Sequence, residues 1–279
     1  MKNLKPYSGD GYFFYQQVLE AKDSDDLRSR LAVVATELES TYKNYAQHFG
    51  LNLLESLKPD TAFSVHKADL LSLYSYQFKI VRELRLEIQR QQPQVVRFTC
   101  QHCTLTSNES LDHFVPKDEF PEFAVHPLNL LPICLKCNQH KSHVWRKAGV
   151  RKALNLYLDR LPDEQYLFVD VKLDKYREID FEFYLEKPKM VSKAMFVLIE
   201  SHFESLNLFS RMREKAIPVI SELINTVSSR MGNLSYPEIA AEIKEAANSN
   251  KRELGANYWK SVVEIELLYS TPFLKLLAL

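Results

Sequence analysis

The chain has 279 residues, of which 46% are hydrophobic, so it is long enough to bury a sizeable core. Its 36 lysines and arginines balance 36 aspartates and glutamates, which argues against a protein held to nucleic acid by its overall charge. No apolar run reaches the length of a membrane span, and the first residues carry no secretory cleavage signal. These features predict a cytoplasmic protein that makes no contact with a membrane.

The first third of the sequence, residues 1–93, is predicted to form a helical domain. Ser24 is expected to cap a helix, because its hydroxyl can accept a hydrogen bond from an unpaired N–H group of the first turn. Apolar residues then recur at helical spacing as far as Gly50. A second long helix is predicted over residues 62–92, and Pro93 ends it.

All four cysteines lie in the middle of the chain, residues 94–150, as two Cys-x-x-Cys pairs. The pairs are Cys100 with Cys103 and Cys134 with Cys137. Each pair offers two sulfurs on a tight turn, and four thiolates are the ligand set of a closed, structural zinc site. Two disulfides are the alternative. Close pairs in a chain without a secretion signal favour a metal in a reducing compartment.

The segment that holds these pairs is predicted to contain two short strands, over residues 94–99 and 110–115. Four prolines make the segment between the strands and the second cysteine pair loop-like. Helical character returns over residues 138–147. The predicted order is therefore cysteine pair, strand, loop, cysteine pair and helix.

An Asp-His dipeptide, Asp112 and His113, lies between the cysteine pairs. Asp is a hard oxygen ligand suited to magnesium or manganese, and His can take a proton from water near neutral pH. The amide oxygen of Asn138 can complete a metal site opposite Asp112. A carboxylate on a metal beside an imidazole base suits phosphodiester hydrolysis. Each residue taken alone is more often structural, so the spacing of the set carries the prediction.

The pattern C-x2-C, DH, P, NL and C-x2-C-N-x2-K resembles the HNH endonucleases, also called ββα-metal or His-Me finger nucleases, over about 50 of the 279 residues. The resemblance implies that His113 is the general base and that Asp112 is a metal ligand. It implies that Asn129 fixes the loop and the orientation of the His through backbone hydrogen bonds. Asn138, directly after the last Cys, would be the second metal ligand.

Two positions near the end of this pattern need separate comment. Some family members carry a His where this sequence has Asn138, so His140 is the substitute ligand to test. Lys141 matches the lysine that the family carries on its helix, and the resemblance implies a contact with a phosphate.

Basic residues follow the pattern at short intervals and are predicted to contact nucleic acid together with Lys141. They are Arg146, Lys147, Arg151 and Lys152. The alternative is an ordinary solvated helix face. Trp145 is interpreted as a core residue rather than a base-stacking one, and Glu122 as a packing residue rather than a further metal ligand.

Residues 151–279 are predicted to form a C-terminal helical domain. It opens with a helix over residues 151–161 and contains a β-hairpin over residues 166–185, where apolar and polar residues alternate. Helices resume after the hairpin, and Pro218 is expected to kink or break one of them. Ser235 and the residues after it are typical of a helix start.

The predicted fold class is mainly α, with a small zinc-bound ββα-metal nuclease core and a β-hairpin. The resemblance implies an endonuclease that hydrolyses double-stranded DNA, with Zn²⁺ as structural ion and Mg²⁺ or Mn²⁺ as catalytic ion. The segment LDHFVPKDEFPEFAVHPLNLLPICLKCN and its flanks resemble HNH proteins of bacterial anti-phage and mobile-element loci, which implies an antiviral effector. Balanced charge and large helical flanks also suit an effector that is silent until a partner such as an ATPase releases it. A homodimer would place two nicking sites on one duplex. The alternative is a non-catalytic, zinc-stapled module that binds nucleic acid or protein.

Overall fold

The computed structural model describes residues 1–278 and is mainly helical, with three two-stranded antiparallel sheets. Its α-helices are α1 Gly11–Glu20, α2 Asp25–Ala32, α3 Ala35–Gly50, α4 Lys67–Leu73, α5 Lys79–Arg90, α6 Gln94–Arg97, α7 Leu135–Lys141, α8 Lys193–Ser205, α9 Leu208–Ser228, α10 Tyr236–Leu254, α11 Trp259–Tyr269 and α12 Thr271–Leu276. Its strands are β1 Ser110–His113, β2 Leu130–Ile133, β3 Arg146–Lys147, β4 Val150–Arg151, β5 Leu167–Leu173 and β6 Ile179–Leu185.

The chain divides into two compact units. The N-terminal unit comprises residues 3–102 and 107–160, and the C-terminal unit comprises residues 1–2, 103–106 and those from 161 onward. The N-terminal unit contains both the segment predicted as a helical domain and most of the segment predicted as a nuclease domain. The division into three domains at residues 93 and 150 stays a prediction.

In the N-terminal unit, Ser24 caps α2 as predicted, since its Oγ accepts a hydrogen bond from Leu27 N at 3.2 Å. The helical pattern is divided at Val34, whose φ of −110° lies outside the helical range, and it resumes as α3. One face of both helices is buried. Its main members are Leu27, Leu31, Leu38, Tyr42 and Tyr45.

The single long helix predicted over residues 62–92 is wrong, because α4 and α5 are separated by a connector, residues 74–78. Helix α4 ends where Tyr74 adopts an extended backbone with ψ 122°. This conformation lets the Tyr74 ring pack edge-on against His113, with ring centroids 4.4 Å apart. A tertiary contact therefore overrides a continuous helical pattern.

The strand predicted over residues 94–99 is also wrong, because these residues begin as the short helix α6. Pro93, with φ −52°, leads into it, and the side chain of Val96 is buried. The carbonyl of Arg97 then accepts a hydrogen bond from Asn108 Nδ2 at 3.0 Å. Burial of one valine and a side-chain partner for a terminal carbonyl favour the turn over an isolated strand.

The second predicted strand is confirmed as β1, which pairs with β2 in antiparallel register. Asp112 lies opposite Leu131, and His113 lies opposite Leu130. Helix α7 follows β2 at once, capped by Cys134, whose side chain accepts a hydrogen bond from Cys137 N. Two strands and one short helix therefore hold Asp112, His113 and the second cysteine pair together.

Helix α7 ends at Lys141, earlier than predicted, where Ser142 takes a left-handed φ of 47°. Strands β3 and β4 then form a hairpin. Its turn residues, Ala148 and Gly149, both have positive φ (49° and 74°), as the two-residue turn that matches strand twist requires. The predicted helix over residues 151–161 is absent. Hydrogen-bonded turns replace it, and in them the Asp159 carboxylate accepts from Asn155 N at 2.8 Å.

In the C-terminal unit, β5 and β6 pair from Leu167 with Leu185 to Leu173 with Ile179, which confirms the predicted hairpin. Helices α9 and α11 pack against this sheet, and α10 packs against α11. Helix α9 continues through Pro218, contrary to the expected break. Pro218 is exposed, so water can reach the carbonyl that proline leaves without a donor. Ser235 and Glu238 form the capping box that starts α10.

None of the helices within residues 1–278 has the length and apolar character needed to cross a membrane.

Candidate functional site

The four cysteines converge into one buried cluster. Their sulfur atoms all lie within 4.8 Å of one another, and each side chain is almost fully excluded from solvent. Zinc held by four sulfurs at about 2.3 Å places those sulfurs about 3.8 Å apart, so the cluster has the size of a tetrahedral site. The cysteines can therefore bind a metal such as zinc.

Backbone N–H groups point at three of these sulfurs. Cys134 N donates to Cys100 Sγ at 3.3 Å, Cys137 N to Cys134 Sγ at 3.4 Å, and Leu105 N to Cys103 Sγ at 3.4 Å. Such donors stabilise the negatively charged thiolate, which is the form that binds a metal. The local turns therefore stabilise thiolates and also place the sulfurs at the spacing of a tetrahedral site.

Asp112 is buried next to Lys141, and only 1% of that lysine is exposed. The Lys141 ammonium lies 3.0 Å from both carboxylate oxygens and also donates to His113 O at 3.1 Å. Asp112 Oδ2 has no hydrogen bond. Burial raises the pKa of Asp112, and the charge of Lys141 opposes that rise. Lys141 therefore has an internal partner in place of the phosphate expected from the resemblance.

His113, the last residue of β1, is partly exposed, and its ring is held in one orientation. Nε2 lies 2.8 Å from the carbonyl oxygen of Ala124. Because a carbonyl can only accept, Nε2 carries the hydrogen and Nδ1 of the neutral ring keeps its lone pair. Burial lowers the pKa of His113 to about 4, although the Ala124 carbonyl opposes the shift. The neutral imidazole therefore predominates at physiological pH.

Asn129 is fully buried and makes four hydrogen bonds across the loop between β1 and β2. Its Oδ1 accepts from Val115 N at 2.8 Å and from the Tyr45 hydroxyl at 3.1 Å. Its Nδ2 donates to Val115 O at 3.0 Å and to Phe123 O at 3.2 Å. Phe123 precedes Ala124, whose carbonyl binds His113. Asn129 therefore fixes the loop that orients the histidine.

Asn138 and His140 lie on α7 but face different surroundings. Asn138 Nδ2 donates to Ser110 Oγ at 2.9 Å and to Leu111 O at 3.4 Å, which turns the amide toward β1. His140 is exposed and does not line the cavity beside β1. The structure therefore brings Asn138, rather than His140, to the side of Asp112 and His113.

One open cavity of about 290 Å³ joins these groups, and we call it the His113 cavity. Its lining residues are Tyr74, Tyr76, Ser110, Leu111, Asp112, His113, Pro116, Lys117, Asp118, Asn138, Ser142 and His143. Three of the four residues predicted to form the catalytic set line it directly. Asn129 does not line the cavity, but it fixes the loop that positions His113 there.

The four basic residues after α7 lie on the β3–β4 hairpin rather than on a helix. Arg146 donates to Glu55 O at 2.8 Å and pairs with Glu119 at 2.5 Å. Arg151 pairs with Asp159 at 2.7 Å. Both guanidinium groups are thus committed to protein partners, whereas Lys147 is exposed and Lys152 is half-buried. Their assignment to nucleic acid stays a prediction.

Trp145 and Glu122 are buried, as the packing interpretation predicted, and so is the neighbouring His126. Trp145 is 2% exposed and donates to Glu119 at 3.2 Å. His126 packs between the rings of Tyr42 and Tyr45, and burial lowers its pKa to about 3. Glu122 lines a separate polar cavity, away from Asp112, so it is not a further ligand there.

The sequence analysis did not identify Tyr74 and Tyr76, which form one wall of the His113 cavity. Both lie in the connector between α4 and α5, more than thirty residues before His113 in the chain. The only available signal was the Tyr-Ser-Tyr sequence, which interrupts an apolar helical pattern. Nothing in that pattern indicates which distant residue the aromatic rings would contact.

No protein-family model matches the chain, and no solved structure matches it. The chain is 28% identical over 189 residues to "Protein ea31" of Escherichia phage lambda. The similar region covers 63% of this chain and 63% of the phage protein, so the chain spans less than two thirds of that relative's length. The name of the relative states no activity.

Proposed function

We propose that the chain is a metal-dependent HNH endonuclease that hydrolyses DNA phosphodiester bonds. The observation that carries the proposal is the meeting of Asp112, His113 and Asn138 in one cavity. A β-hairpin followed at once by a helix supplies all three, and the helix begins at the four-cysteine cluster. This arrangement supports a ββα-metal nuclease core.

His113 would act as the general base. Its Nδ1 lone pair takes a proton from a water molecule in the cavity, and the hydroxide formed attacks the phosphorus. The hydrogen bond from Nε2 to Ala124 O fixes the tautomer and stabilises the imidazolium that forms. Asn129 donates to the carbonyl of Phe123, the residue before Ala124, and so fixes the loop that carries this acceptor.

Asp112 and Asn138 would hold a catalytic Mg²⁺ or Mn²⁺. Asp112 would supply Oδ2, which is buried and lies 3.0 Å from the Lys141 ammonium, and Asn138 would supply its amide oxygen, since its nitrogen donates to Ser110 and Leu111. Two protein oxygens suit Mg²⁺, which keeps several of its waters and binds substrate phosphate. When bound, such an ion neutralises charge on the phosphorane and on the leaving oxygen.

The four-cysteine cluster would carry a structural zinc ion. Four thiolates leave no open coordination position, so this ion would hold the two ends of the nuclease segment together and take no part in the reaction. Cys134 caps α7, which ties the position of Asn138 to the cluster.

The test is plasmid cleavage with added Mg²⁺ or Mn²⁺, in which the wild type is compared with His113→Ala. Loss of a general base lowers the rate by about 10²–10⁴-fold. His140→Ala is the matched control, because His140 is exposed on α7 and lies outside the cavity. Retained cleavage in the control and lost cleavage in His113→Ala, with fold and zinc content unchanged, is the expected result. Equal cleavage by wild type and His113→Ala would refute the role of His113.

One observation favours the second candidate, a non-catalytic, zinc-stapled module that binds nucleic acid or protein. Lys141 already neutralises Asp112 from 3.0 Å, so the carboxylate has a cationic partner without a metal. A wild type that binds an oligonucleotide but shows no cleavage with either metal, alone or with its partner, would select this candidate.

The biological role forms part of the same proposal. The flanks resemble those of HNH proteins from anti-phage loci. The similarity to a phage protein agrees with a role in the interaction between phages and their bacterial hosts. Balanced charge suits a cytoplasmic nuclease that stays silent until a partner such as an ATPase activates it. A homodimer would cut both strands of a duplex.

A further inference from the structure

One wall of the His113 cavity comes from outside the nuclease segment. The connector between α4 and α5 contributes Tyr74 and Tyr76. The Tyr74 ring packs edge-on against His113, so it is occupied by the protein itself. Tyr76 is partly exposed, which leaves its ring available at the rim of the cavity.

Tyr76 is fixed by two hydrogen bonds and one guanidinium group. Its hydroxyl donates to Glu109 O and accepts from Arg85 Nη1. The guanidinium of Arg85 lies 5.1 Å from the centroid of the Tyr76 ring. The ring is therefore rigid, and a rigid ring loses little conformational freedom when a second flat group stacks on it.

Arg85 also differs from the arginines of the β3–β4 hairpin in having no carboxylate partner among the described residues. Arg146 and Arg151 each pair with a carboxylate. Within residues 1–278, no carboxylate pairs with Arg85 or with Arg82, which is exposed one turn earlier on α5. Unneutralised positive charge near the cavity thus comes from Lys117, which lines it, and from Arg85 on α5, which contacts Tyr76.

The size of the cavity limits what can enter it. At about 290 Å³ it falls just below the 300–1,000 Å³ typical of sites that enclose a whole ligand. A phosphate and part of a sugar fit such a space, and the attached base must rest on the rim. Trp145 cannot receive that base, because it is 2% exposed. Tyr76 is the rim aromatic that can.

On the basis of the proposed function, the geometry points to a nucleotide-binding element made of Tyr76, Arg85 and Arg82. Tyr76 stacks the base next to the cleaved phosphodiester, and the two arginines meet the flanking phosphates. A base that stacks on a side chain is not paired in a helix. The preferred substrate therefore contains an unpaired nucleotide at the cut site, as a single strand, a flap, a gap or a locally unwound region of a supercoiled plasmid does.

Binding by the His113→Ala protein tests this element without cleavage. Fluorescence anisotropy compares a labelled single-stranded DNA oligonucleotide with its blunt duplex. Stacking of one base contributes about 1–3 kcal/mol, so Tyr76→Leu should weaken single-strand binding about 5- to 150-fold and leave duplex binding unchanged. Tyr76→Phe keeps the ring but loses the hydroxyl bonds that hold it, so it should weaken single-strand binding less than Tyr76→Leu does.

Arg82 provides a separate measurement, because it is exposed and its replacement should not affect folding. Arg82→Gln should reduce the dependence of log affinity on log salt by about 0.7 for a single strand, as expected when one phosphate contact is lost. Arg160→Gln is the matched control, since Arg160 is exposed in the same unit and does not line the cavity. It should leave the slope unchanged.

The outcomes separate this inference from the proposed function. Equal weakening of single-strand and duplex binding by Tyr76→Leu, or no weakening while circular dichroism and zinc content are unchanged, would overturn the element even if the wild type cleaves DNA. Selective weakening in a protein that never cleaves would support the element and refute the nuclease.

Discussion

Lys141 and Asp112 form a buried ion pair beside the proposed metal site, and each charge depends on the other. With Lys141→Met, the carboxylate would remain in the interior without its counter-charge. Loss of one partner of a buried pair costs about 3–5 kcal/mol of stability. We expect urea denaturation of Lys141→Met to show a loss of that size.

The double variant Asp112→Asn with Lys141→Met is the control for this prediction. It removes both charges together, so it should be more stable than Lys141→Met alone. If the two single losses simply add in the double variant, the pair does not stabilise the fold.

Glu122 is the second buried acid of the N-terminal unit, and 2% of it is exposed. Burial raises its pKa from 4.5 to about 7, and the nearby charge of Asp60 adds to the rise. A raised folded-state pKa gives stability that is fully present below pH 4.5 and is lost as pH rises through 7. Glu122→Gln should therefore gain stability over the wild type between pH 5 and pH 8, by at most about 3 kcal/mol.

Urea midpoints measured at pH 5 and pH 8 check this change. Glu37→Gln is the matched control, because Glu37 is exposed on α3. Its urea midpoints at pH 5 and pH 8 should differ by the same amount as those of the wild type. A parallel pH profile for Glu122→Gln and wild type would contradict the burial argument.

At the scale of elements, β1, β2 and α7 depend on the four-cysteine cluster. Cys100 and Cys103 precede β1, Cys134 and Cys137 lie at the start of α7, and the binding energy of a structural zinc is also folding energy. We expect mass spectrometry to find one zinc ion per chain. Chelation should remove amide-exchange protection from β1, β2 and α7 while the β5–β6 hairpin keeps its protection.

Cys137→Ser should reproduce the effect of chelation, because an alcohol is a poor substitute for a thiolate ligand. A chain without zinc that keeps full protection in β1, β2 and α7 would show that the cluster is not a stabilising metal site. Absence of zinc together with free thiols in the untreated protein would lead to the same conclusion.

Some elements could be predicted from local sequence patterns alone. The β5–β6 hairpin alternates apolar and polar residues, and the caps at Ser24 and Ser235 bond within three or four residues. Their energetics lie within a few neighbouring positions, so the sequence indicates them. The predicted helix over residues 62–92 failed because the contact of Tyr74 with distant His113 competed with local propensity. Local turns in which Asp159 accepts from Asn155 N replace the helix predicted over residues 151–161.

For the molecule as a whole, balanced charge predicts weak binding to duplex DNA by the chain alone. Its 36 basic and 36 acidic residues leave no net attraction to phosphate. At about 0.15 M salt we expect a dissociation constant no tighter than about 10⁻⁶ M, the non-specific range. Anisotropy at two salt concentrations measures it.

Regulation by an activating partner protein is tested by the same anisotropy measurement with that partner present. Repetition with proteins encoded by neighbouring genes should raise affinity if one of them activates the nuclease. Nanomolar duplex binding by the chain alone would contradict the idea that weak DNA affinity keeps the enzyme silent.

The sequence by itself determined the cysteine pairs, the Asp112–His113 dipeptide, Asn129 and Asn138, because their signal is a spacing along the chain. Tertiary structure decided which of these share a cavity, that Lys141 pairs with Asp112, and that Tyr76, held by Arg85, lines the cavity. Those facts depend on contacts across roughly twenty-five to sixty residues. Burial and long-range packing, which no local spacing encodes, set whether a charged or aromatic side chain meets solvent or a protein partner.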